Sequence, residues 1–271
     1  MSGLQDLFAG SRAEQRAALI GYLPAGFPTV DASADTLIAM IDGGCDLVEV
    51  GVPFSDPVLD GPVIQAAAET ARGNGFRLKD TFTVVRRITE AGGRAVVMSY
   101  FNPILAYGVD NFARDLAAAG GLGVITPDLI VDEADGWLAA AADNGIDPIF
   151  LVAPSSSAER ISIAAGATRG FLYAASTMGV TGARDQVSSA APELVARCRD
   201  LTDLPIGVGL GVRTGAQAAQ IAAFADAVIV GSAFTSAAEQ GPAAVADLAA
   251  ELADGVRSAR RPTAQTARAA L

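Results

Sequence analysis

The sequence contains no histidine and a single lysine, Lys79, among its 271 residues. A Ser-His-Asp triad, a histidine-ligated zinc site and a histidine general base are therefore excluded within this chain. Lys79 opens a predicted helix and lies far from any predicted strand end, so a Schiff-base lysine at a strand end is not supported. Proton transfer must then fall to carboxylates, tyrosines or water.

The chain is also poor in cysteine, in positive charge and in long apolar runs. Cys45 and Cys198 show no C-x-x-C spacing, which supports neither a metal site nor a disulfide framework, and we expect both to be buried. The formal net charge of −11 disfavours nucleic acid and anionic membranes as partners. Apolar stretches end well before the roughly 18 residues of a membrane span, and no signal peptide is apparent. We therefore expect a soluble, cytoplasmic protein.

One stretch, residues 47–65, combines an apolar run with three carboxylates. The alternation of this run places Glu49 and Gly51 on one face of a predicted strand, where apolar residues normally lie. The loop that follows is stiffened by three prolines and presents Asp56 and Asp60. A solvated edge strand followed by an acidic turn would give the same pattern. Glutamate is depleted in strands and rarely buried without a purpose, however, so the pattern favours a site for chemistry.

Eight short apolar runs alternate with helical patterns along the chain. The predicted strands are residues 18–23, 47–51, 95–99, 122–126, 148–152, 170–174, 205–208 and 227–230. This alternation implies parallel strands with right-handed crossovers. The simplest closure is a (β/α)8 TIM barrel, with an open doubly wound sheet as the alternative. An additional N-terminal helix over residues 2–9 is expected to cover one end, and Glu49 then points into the interior near the C-terminal mouth.

The chain shows no linker that would divide it. Residues 1–257 are therefore predicted to form a single barrel domain, and residues 258–271 a disordered C-terminal tail. Residues 100–103 are predicted to form the exit turn after the third strand. A helix is predicted over residues 132–142, and one last helix is expected to begin after Gly231.

Glycine-rich stretches follow each of the last three predicted strands. They are residues 179–182, 209–211 and 231–232. Glycine lets backbone amides approach an anion closely, and barrel phosphate sites are typically built after the last two strands with a helix N-terminus. One such stretch alone would equally suit a plain tight turn. Together they predict a phosphate cradle, which with an interior Glu49 suits a small phosphoester substrate that undergoes proton transfer.

Four motifs of the sequence are distinctive. They are Val-Glu-Val-Gly-Val-Pro-Phe-Ser-Asp-Pro around Glu49, Leu-Asp-Gly-Pro-Val-Ile-Gln around Asp60, Asn-Pro-Ile-Leu-Ala-Tyr-Gly from Asn102, and Gly-Val-Thr-Gly from Gly179. Together they resemble motifs of the tryptophan synthase alpha subunit family. The resemblance covers nearly the whole chain, including the leading helix. The glutamate and acidic-loop motif is highly specific, whereas phosphate-binding glycines occur in many barrels.

The resemblance implies retro-aldol cleavage of indole-3-glycerol phosphate to indole and glyceraldehyde 3-phosphate, without a cofactor in this chain. Glu49 would be the acid/base at the indole C3 and the glycerol hydroxyl, and Asp60 would hold the indole N–H and stabilise an indoleninium-like intermediate. The implied substrate-binding residues are Tyr22, Tyr100, Tyr173, Thr181 and Leu210. The implied phosphate-binding residues are Gly182, Gly211, Gly231 and Ser232. Each tyrosine could equally fill the core.

The resemblance also implies a partner, a beta subunit that carries pyridoxal phosphate in an α₂β₂ assembly. The implied interface is formed by Asp56, Pro57, Asn102 and Asp128, which lie on loops expected to surround the same barrel mouth. A docked protein could therefore order the acidic loop directly.

The sequence departs from the family at three positions and leaves alternatives open. Pro24 stands where threonine is usual, Leu210 where an aromatic residue is frequent, and Arg213 where a small hydroxyl residue is usual, which affects the expected pocket shape. An indole-3-glycerol phosphate synthase would need strand lysines, and a phosphoribosylanthranilate isomerase a strand-end cysteine, whereas Cys45 precedes its strand. A stand-alone indole-releasing lyase and a catalytically silent regulatory barrel remain alternatives.

Overall fold

The computed structural model describes residues 3–175, 190–209 and 211–259. Within these ranges one sheet contains nine parallel strand segments. They are β1 Ala18–Pro24, β2 Leu47–Gly51, β3 Ala95–Met98, β4 Gly123–Ile125, β5 Asp147–Ile149, β6 Leu151–Val152, β7 Leu172–Ala175, β8 Ile206–Gly209 and β9 Ala227–Val230. Their order in the sheet is β5-β4-β3-β2-β1-β9-β8-β7-β6.

The two ends of this sheet are consecutive in the chain. β5 and β6 are separated only by Phe150, whose N–H donates to Thr168 Oγ1 at 3.3 Å. The predicted strand over residues 148–152 is therefore interrupted at Phe150, and its two halves pair with opposite neighbours, β4 and β7. This closes the sheet into an eight-stranded barrel, so the predicted (β/α)8 TIM barrel is confirmed.

Helices surround the barrel. They are α1 Gly3–Ala13, α2 Val30–Asp42, α3 Pro62–Gly73, α4 Leu78–Glu90, α5 Phe101–Tyr107, α6 Val109–Ala118, α7 Asp135–Asn144, α8 Ala158–Ala167, α9 Ala190–Arg199, α10 Gly215–Ala222, α11 Ser232–Ala238 and α12 Pro242–Ser258. Several of them, including α2 and α8, begin at side-chain caps. Thr29 accepts a hydrogen bond from the Ala32 N–H, and Ser157 accepts one from the Arg160 N–H, each at 3.2 Å. None of the helices in the described ranges has both the length and the apolar character of a membrane span.

The prediction of an exit turn at residues 100–103 is wrong, because α5 begins at Phe101. Asp128, which follows β4, accepts hydrogen bonds from the Phe101 N–H at 2.9 and 3.2 Å and so caps the helix. Pro103 lies in the first turn, where its missing N–H breaks no helical hydrogen bond. The capping residue comes from another loop, which a local pattern does not reveal. α9 was also not predicted.

Two helices, rather than the one expected, follow Gly231. α11 and α12 are separated by Gly241, which has φ +98° in the left-handed region that favours glycine, and Pro242 then opens α12. The helix predicted over residues 132–142 starts later, because a 3-10 turn at Val131–Glu133 precedes α7. α12 extends through Ser258, the first residue of the predicted tail, and residues 260–271 lie outside the described ranges.

The apolar core has two layers. An outer layer packs the strands against the surrounding helices and buries both Cys45 and Cys198, as expected. An inner layer fills the barrel with alternate strand residues, and α1 adds Leu4, Leu7 and Phe8 to it. The rings of Phe8 and Phe171 lie 5.5 Å apart. Burial of each large apolar side chain stabilises the fold by about 1.5–3 kcal/mol. α1 thus covers one barrel end, as predicted.

Candidate active site

Glu49 lies in β2 on the face that points into the barrel. Leu47, two residues earlier on the same face, belongs to the inner core layer, and Tyr22 of β1 is the neighbour of Glu49 in the strand register. Only 1% of Glu49 is exposed, and its Oε2 atom has no hydrogen-bond partner in the described part of the chain. The interpretation of this glutamate as part of a solvated edge strand is therefore wrong.

Burial has a direct effect on the ionisation of Glu49. An ionised carboxylate loses its hydration here and gains no hydrogen bond at Oε2 from the described residues in return. Desolvation, followed by the nearby charge of Asp60, therefore raises the pKa of Glu49 to about 8. A group with this pKa can hold a proton at neutral pH and still release it, which suits a general acid and base.

Asp60 lies at the end of the loop that follows β2 and is half-buried. Desolvation raises its pKa, and a hydrogen bond from the Tyr100 hydroxyl to Oδ1, at 3.4 Å, works in the opposite direction by favouring the ionised form. The main-chain carbonyl of Asp60 accepts a hydrogen bond from Gln65 Nε2 at 2.8 Å. Glu49 and Asp60 are thus two carboxyl groups in different environments, which allows different roles.

The three predicted tyrosines gather around these carboxyl groups. Burial raises the pKa of Tyr22 well above its usual value, and the charges of Asp60 and Glu49 add to this effect. Burial and then the charge of Glu49 do the same to the pKa of Tyr173. Tyr100 reaches Asp60 by its hydroxyl. The structure thus brings all three side chains together with the carboxylates, and their roles toward substrate stay predictions.

Two glycines, Gly51 and Gly209, allow this arrangement, a role that the sequence analysis did not assign to them. A side chain on Gly51 would overlap the ring and hydroxyl of Tyr22, and one on Gly209 would meet the hydroxyl of Tyr173. Each tyrosine therefore crosses the glycine at the carboxyl end of the next strand around the barrel, from β1 to β2 and from β7 to β8. Glycines at the ends of two predicted strands were the feature of the sequence that could have revealed this close approach.

Three of the four predicted phosphate-binding residues lie on two adjacent strand ends. Gly211 comes shortly after β8, and Gly231 and Ser232 come directly after β9, which pairs with β8. A Cβ on Gly231 would lie 3.4 Å from the Tyr22 ring, so the end of β9 lies beside the Tyr22 side chain. Thr181, Gly182 and Leu210 lie outside the described residues.

Two of the three departures from the family pattern, Pro24 and Arg213, lie at this same end of the barrel. Pro24 ends β1 opposite Gly51 and is buried. Arg213 is exposed, and its main-chain N–H donates to Gln217 Oε1 at 2.7 Å.

The predicted partner residues follow β2, β3 and β4. Asp56 and Asn102 are exposed and Pro57 is half-buried. Asp128 is exposed as well, but the structure gives it a role inside the chain as the cap of α5. The interface assignment of these four residues stays a prediction.

The segments that follow β2, β3 and β4, which are two loops and the helix α5, expose large apolar side chains that the sequence analysis missed. Val58, Leu105 and Ile130 are 66%, 53% and 52% exposed. Their position after consecutive strands was visible in the sequence, whereas their exposure depends on the packing of their neighbours. Scattered exposed apolar residues are common, but three on segments that follow adjacent strands are typical of an interaction surface.

The fold and the site define a (β/α)8 barrel enzyme with two carboxyl groups of raised pKa near the carboxyl ends of its strands. A family model described as Tryptophan synthase alpha chain matches residues 8–263. The chain belongs to the tryptophan synthase alpha chain family. It is a lyase with the alpha-subunit role in tryptophan biosynthesis, and the rival barrels and the silent regulatory barrel are not favoured.

Relatives and solved structures agree with this assignment. The tryptophan synthase alpha chain of Mycobacteroides abscessus is 65% identical over 256 residues, which cover 94% of this chain and 98% of the relative. That of Nocardia farcinica is 65% identical over 258 residues, covering 95% and 97%. A solved structure of Mycobacterium tuberculosis tryptophan synthase superimposes with a TM-score of 0.91 at 60% identity and covers 94% of this chain and 98% of that chain.

Proposed function

We propose that this chain cleaves indole-3-glycerol phosphate to indole and glyceraldehyde 3-phosphate, with Glu49 as the acid/base. The observation that carries the proposal is the buried Glu49 carboxyl group, whose Oε2 lacks a partner among the described residues and whose pKa is raised to about 8. The chain has no histidine, and its single lysine opens α4 on the outside of the barrel. Family membership supports the substrate.

The neutral and ionised forms of Glu49 serve two successive steps. Neutral Glu49 donates its proton to the indole C3, which leaves the ring positively charged. The resulting carboxylate then accepts the proton of the adjacent glycerol hydroxyl, the bond between C3 and the glycerol carbon breaks, and its electron pair restores the aromatic ring. The oxygen of that hydroxyl becomes the carbonyl of glyceraldehyde 3-phosphate. Glu49 is protonated again at the end.

Asp60 acts on the charge that develops between these steps. As a carboxylate it accepts a hydrogen bond from the indole N–H and offsets the positive charge on the ring. This interaction is stronger in the intermediate than in the substrate. The rings of Tyr22, Tyr100 and Tyr173 line the apolar part of the site in this proposal. The decisive test is incubation of the purified chain with indole-3-glycerol phosphate and measurement of indole.

The phosphate group is assigned to the rim formed by Gly211, Gly231 and Ser232. Gly211→Val should weaken the binding of both substrate and glycerol phosphate at least about tenfold, because a branched side chain would occupy the place of the anion. The affinity for glycerol phosphate can be measured by calorimetry. Gly166→Val is a matched control, since a Cβ on Gly166 meets nothing within 4 Å. Unchanged affinity in Gly211→Val would place the phosphate elsewhere.

We further propose that a beta subunit, which supplies pyridoxal phosphate in an α₂β₂ assembly, docks on the loops after β2, β3 and β4. Family membership supports a partner of this kind. The exposed side chains of Val58, which lies on the same loop as Asp56, and of Leu105 and Ile130, which follow the next two strands, are suited to burial in an interface. Docking would thus order the acidic loop and accelerate the reaction. The cytoplasmic location stays a prediction.

Turnover with and without the beta subunit tests this assembly. We expect the isolated chain to be monomeric and slow, and its indole formation to rise when the beta subunit is added. Asp56→Ala should reduce that acceleration more than the basal rate. Asp143→Ala is the control, because Asp143 lies near the end of α7 and therefore at the opposite end of the barrel. Equal rates without co-elution on gel filtration would instead favour a stand-alone indole-releasing lyase.

A further inference from the structure

Tyr100 holds the acidic loop, which we define as residues 52–61. Its hydroxyl oxygen accepts hydrogen bonds from the main-chain N–H groups of Val58 at 3.1 Å and Leu59 at 2.9 Å. The same hydroxyl donates to Asp60 Oδ1 at 3.4 Å. Three consecutive residues of the loop therefore meet at one phenol oxygen that comes from the end of another strand, β3.

These contacts use the full hydrogen-bonding capacity of the hydroxyl. A phenol donates one hydrogen bond and accepts up to two, so no capacity remains for the substrate. The ring is 5% exposed and lies 5.3 Å from the ring of Phe54, which belongs to the same loop. The assignment of Tyr100 as a substrate-binding residue thus applies to its ring alone, because its hydroxyl oxygen binds the acidic loop.

We infer that Tyr100 is a positioning residue, whose hydroxyl holds the acidic loop in place and orients the carboxylate of Asp60 toward the substrate. This inference rests on the proposed function. Gln65 complements Tyr100, because it binds the main-chain carbonyl of Asp60 while Tyr100 binds the carboxylate and the two preceding amides. Main chain and side chain of Asp60 are thus held separately.

Tyr100→Phe tests this role, because it removes the oxygen and keeps the ring. We expect kcat to fall roughly 10- to 100-fold, as a misplaced catalytic group does, with less than about a threefold change in KM. Tyr107→Phe is the matched control, since the Tyr107 hydroxyl also donates to a carboxylate, Asp115 Oδ2 at 2.5 Å, away from the site. This control should keep the kcat of the unaltered chain.

A double-mutant cycle shows whether Tyr100 acts through Asp60. In the Asp60→Asn background, Tyr100→Phe should cost less than about threefold in kcat, because the group that Tyr100 orients has already lost its charge. If Tyr100→Phe lowered kcat by the same factor in the unaltered chain and in the Asp60→Asn background, the inference would be overturned. A kcat in Tyr100→Phe equal to that of Tyr107→Phe would do so as well.

The ionisation of Asp60 provides a readout that does not depend on activity. The Tyr100 hydrogen bond favours the ionised carboxylate, so its loss should raise the pKa of Asp60 and move the acid limb of the kcat profile to higher pH. NMR titration of the labelled carboxyl group measures this shift directly. An unmoved Asp60 pKa in a folded Tyr100→Phe variant would overturn the inference, whereas absence of indole formation by the unaltered chain would instead refute the proposed function.

Discussion

Glu49→Gln is expected to lower the rate of indole formation by roughly 10²- to 10⁴-fold. The amide keeps the volume of the side chain but cannot carry the proton between the indole C3 and the glycerol hydroxyl. Binding of glycerol phosphate should persist, because the rim proposed to bind the phosphate follows β8 and β9 rather than β2. Glu193→Gln on the exposed face of α9 controls for the change in charge. Near-normal turnover in Glu49→Gln would refute the assignment of Glu49 as the acid/base.

The same substitution should stabilise the fold at alkaline pH. The pKa of Glu49 is raised from an ordinary value of 4.5 to about 8, so the native state binds this proton more tightly than the unfolded chain does. The stability contributed by protonated Glu49 is fully present below pH 4.5 and is lost as the pH rises through 8. At pH 9 the free energy of unfolding of Glu49→Gln should exceed that of the unaltered chain by up to about 5 kcal/mol.

Denaturant unfolding at several pH values measures this difference. The gain should be small near pH 4 and grow as the pH rises, and Glu193→Gln should show no such growth. A difference that is independent of pH would mean that the Glu49 carboxyl group is not held neutral by its surroundings. NMR titration of the labelled side chain would then give an ordinary pKa.

Asp60→Asn should reduce kcat by roughly 10²- to 10³-fold, with a smaller effect on KM. The amide can still accept a hydrogen bond from the indole N–H, but it lacks the negative charge that offsets the positive charge on the ring in the intermediate. Steady-state kinetics with indole-3-glycerol phosphate separates the two parameters, and Asp143→Asn at the opposite end of the barrel is the matched control. An effect confined to KM would show that Asp60 only binds the substrate.

A second consequence of Asp60→Asn concerns the pH dependence. The charge of Asp60 contributes to the raised pKa of Glu49, so its removal should lower that pKa and move the alkaline limb of the activity profile to lower pH. An alkaline limb at the same pH as in the unaltered chain would mean that the two carboxyl groups do not interact.

The barrel was predictable because its signals are local. Short apolar runs bounded by glycine and proline predicted eight strands, and the structure confirms them to within two residues at most ends. The alternation around Glu49 also predicted the face on which this residue lies, since successive side chains of a strand point to opposite faces. α5 was missed for the opposite reason. Its cap, Asp128, comes from the loop after the next strand.

The properties of the candidate site likewise fall into those set by the local sequence and those set by tertiary contacts. Sequence alone determined the class of chemistry, because it lacks histidine, has one lysine and carries Glu49 and Asp60 in a specific motif. Only the tertiary structure decided how those groups behave. The pKa of Glu49 depends on how completely distant elements remove water from it, and the role of the Tyr100 oxygen depends on contacts with residues about 40 positions away in the chain. Such contacts exist only after the barrel has closed.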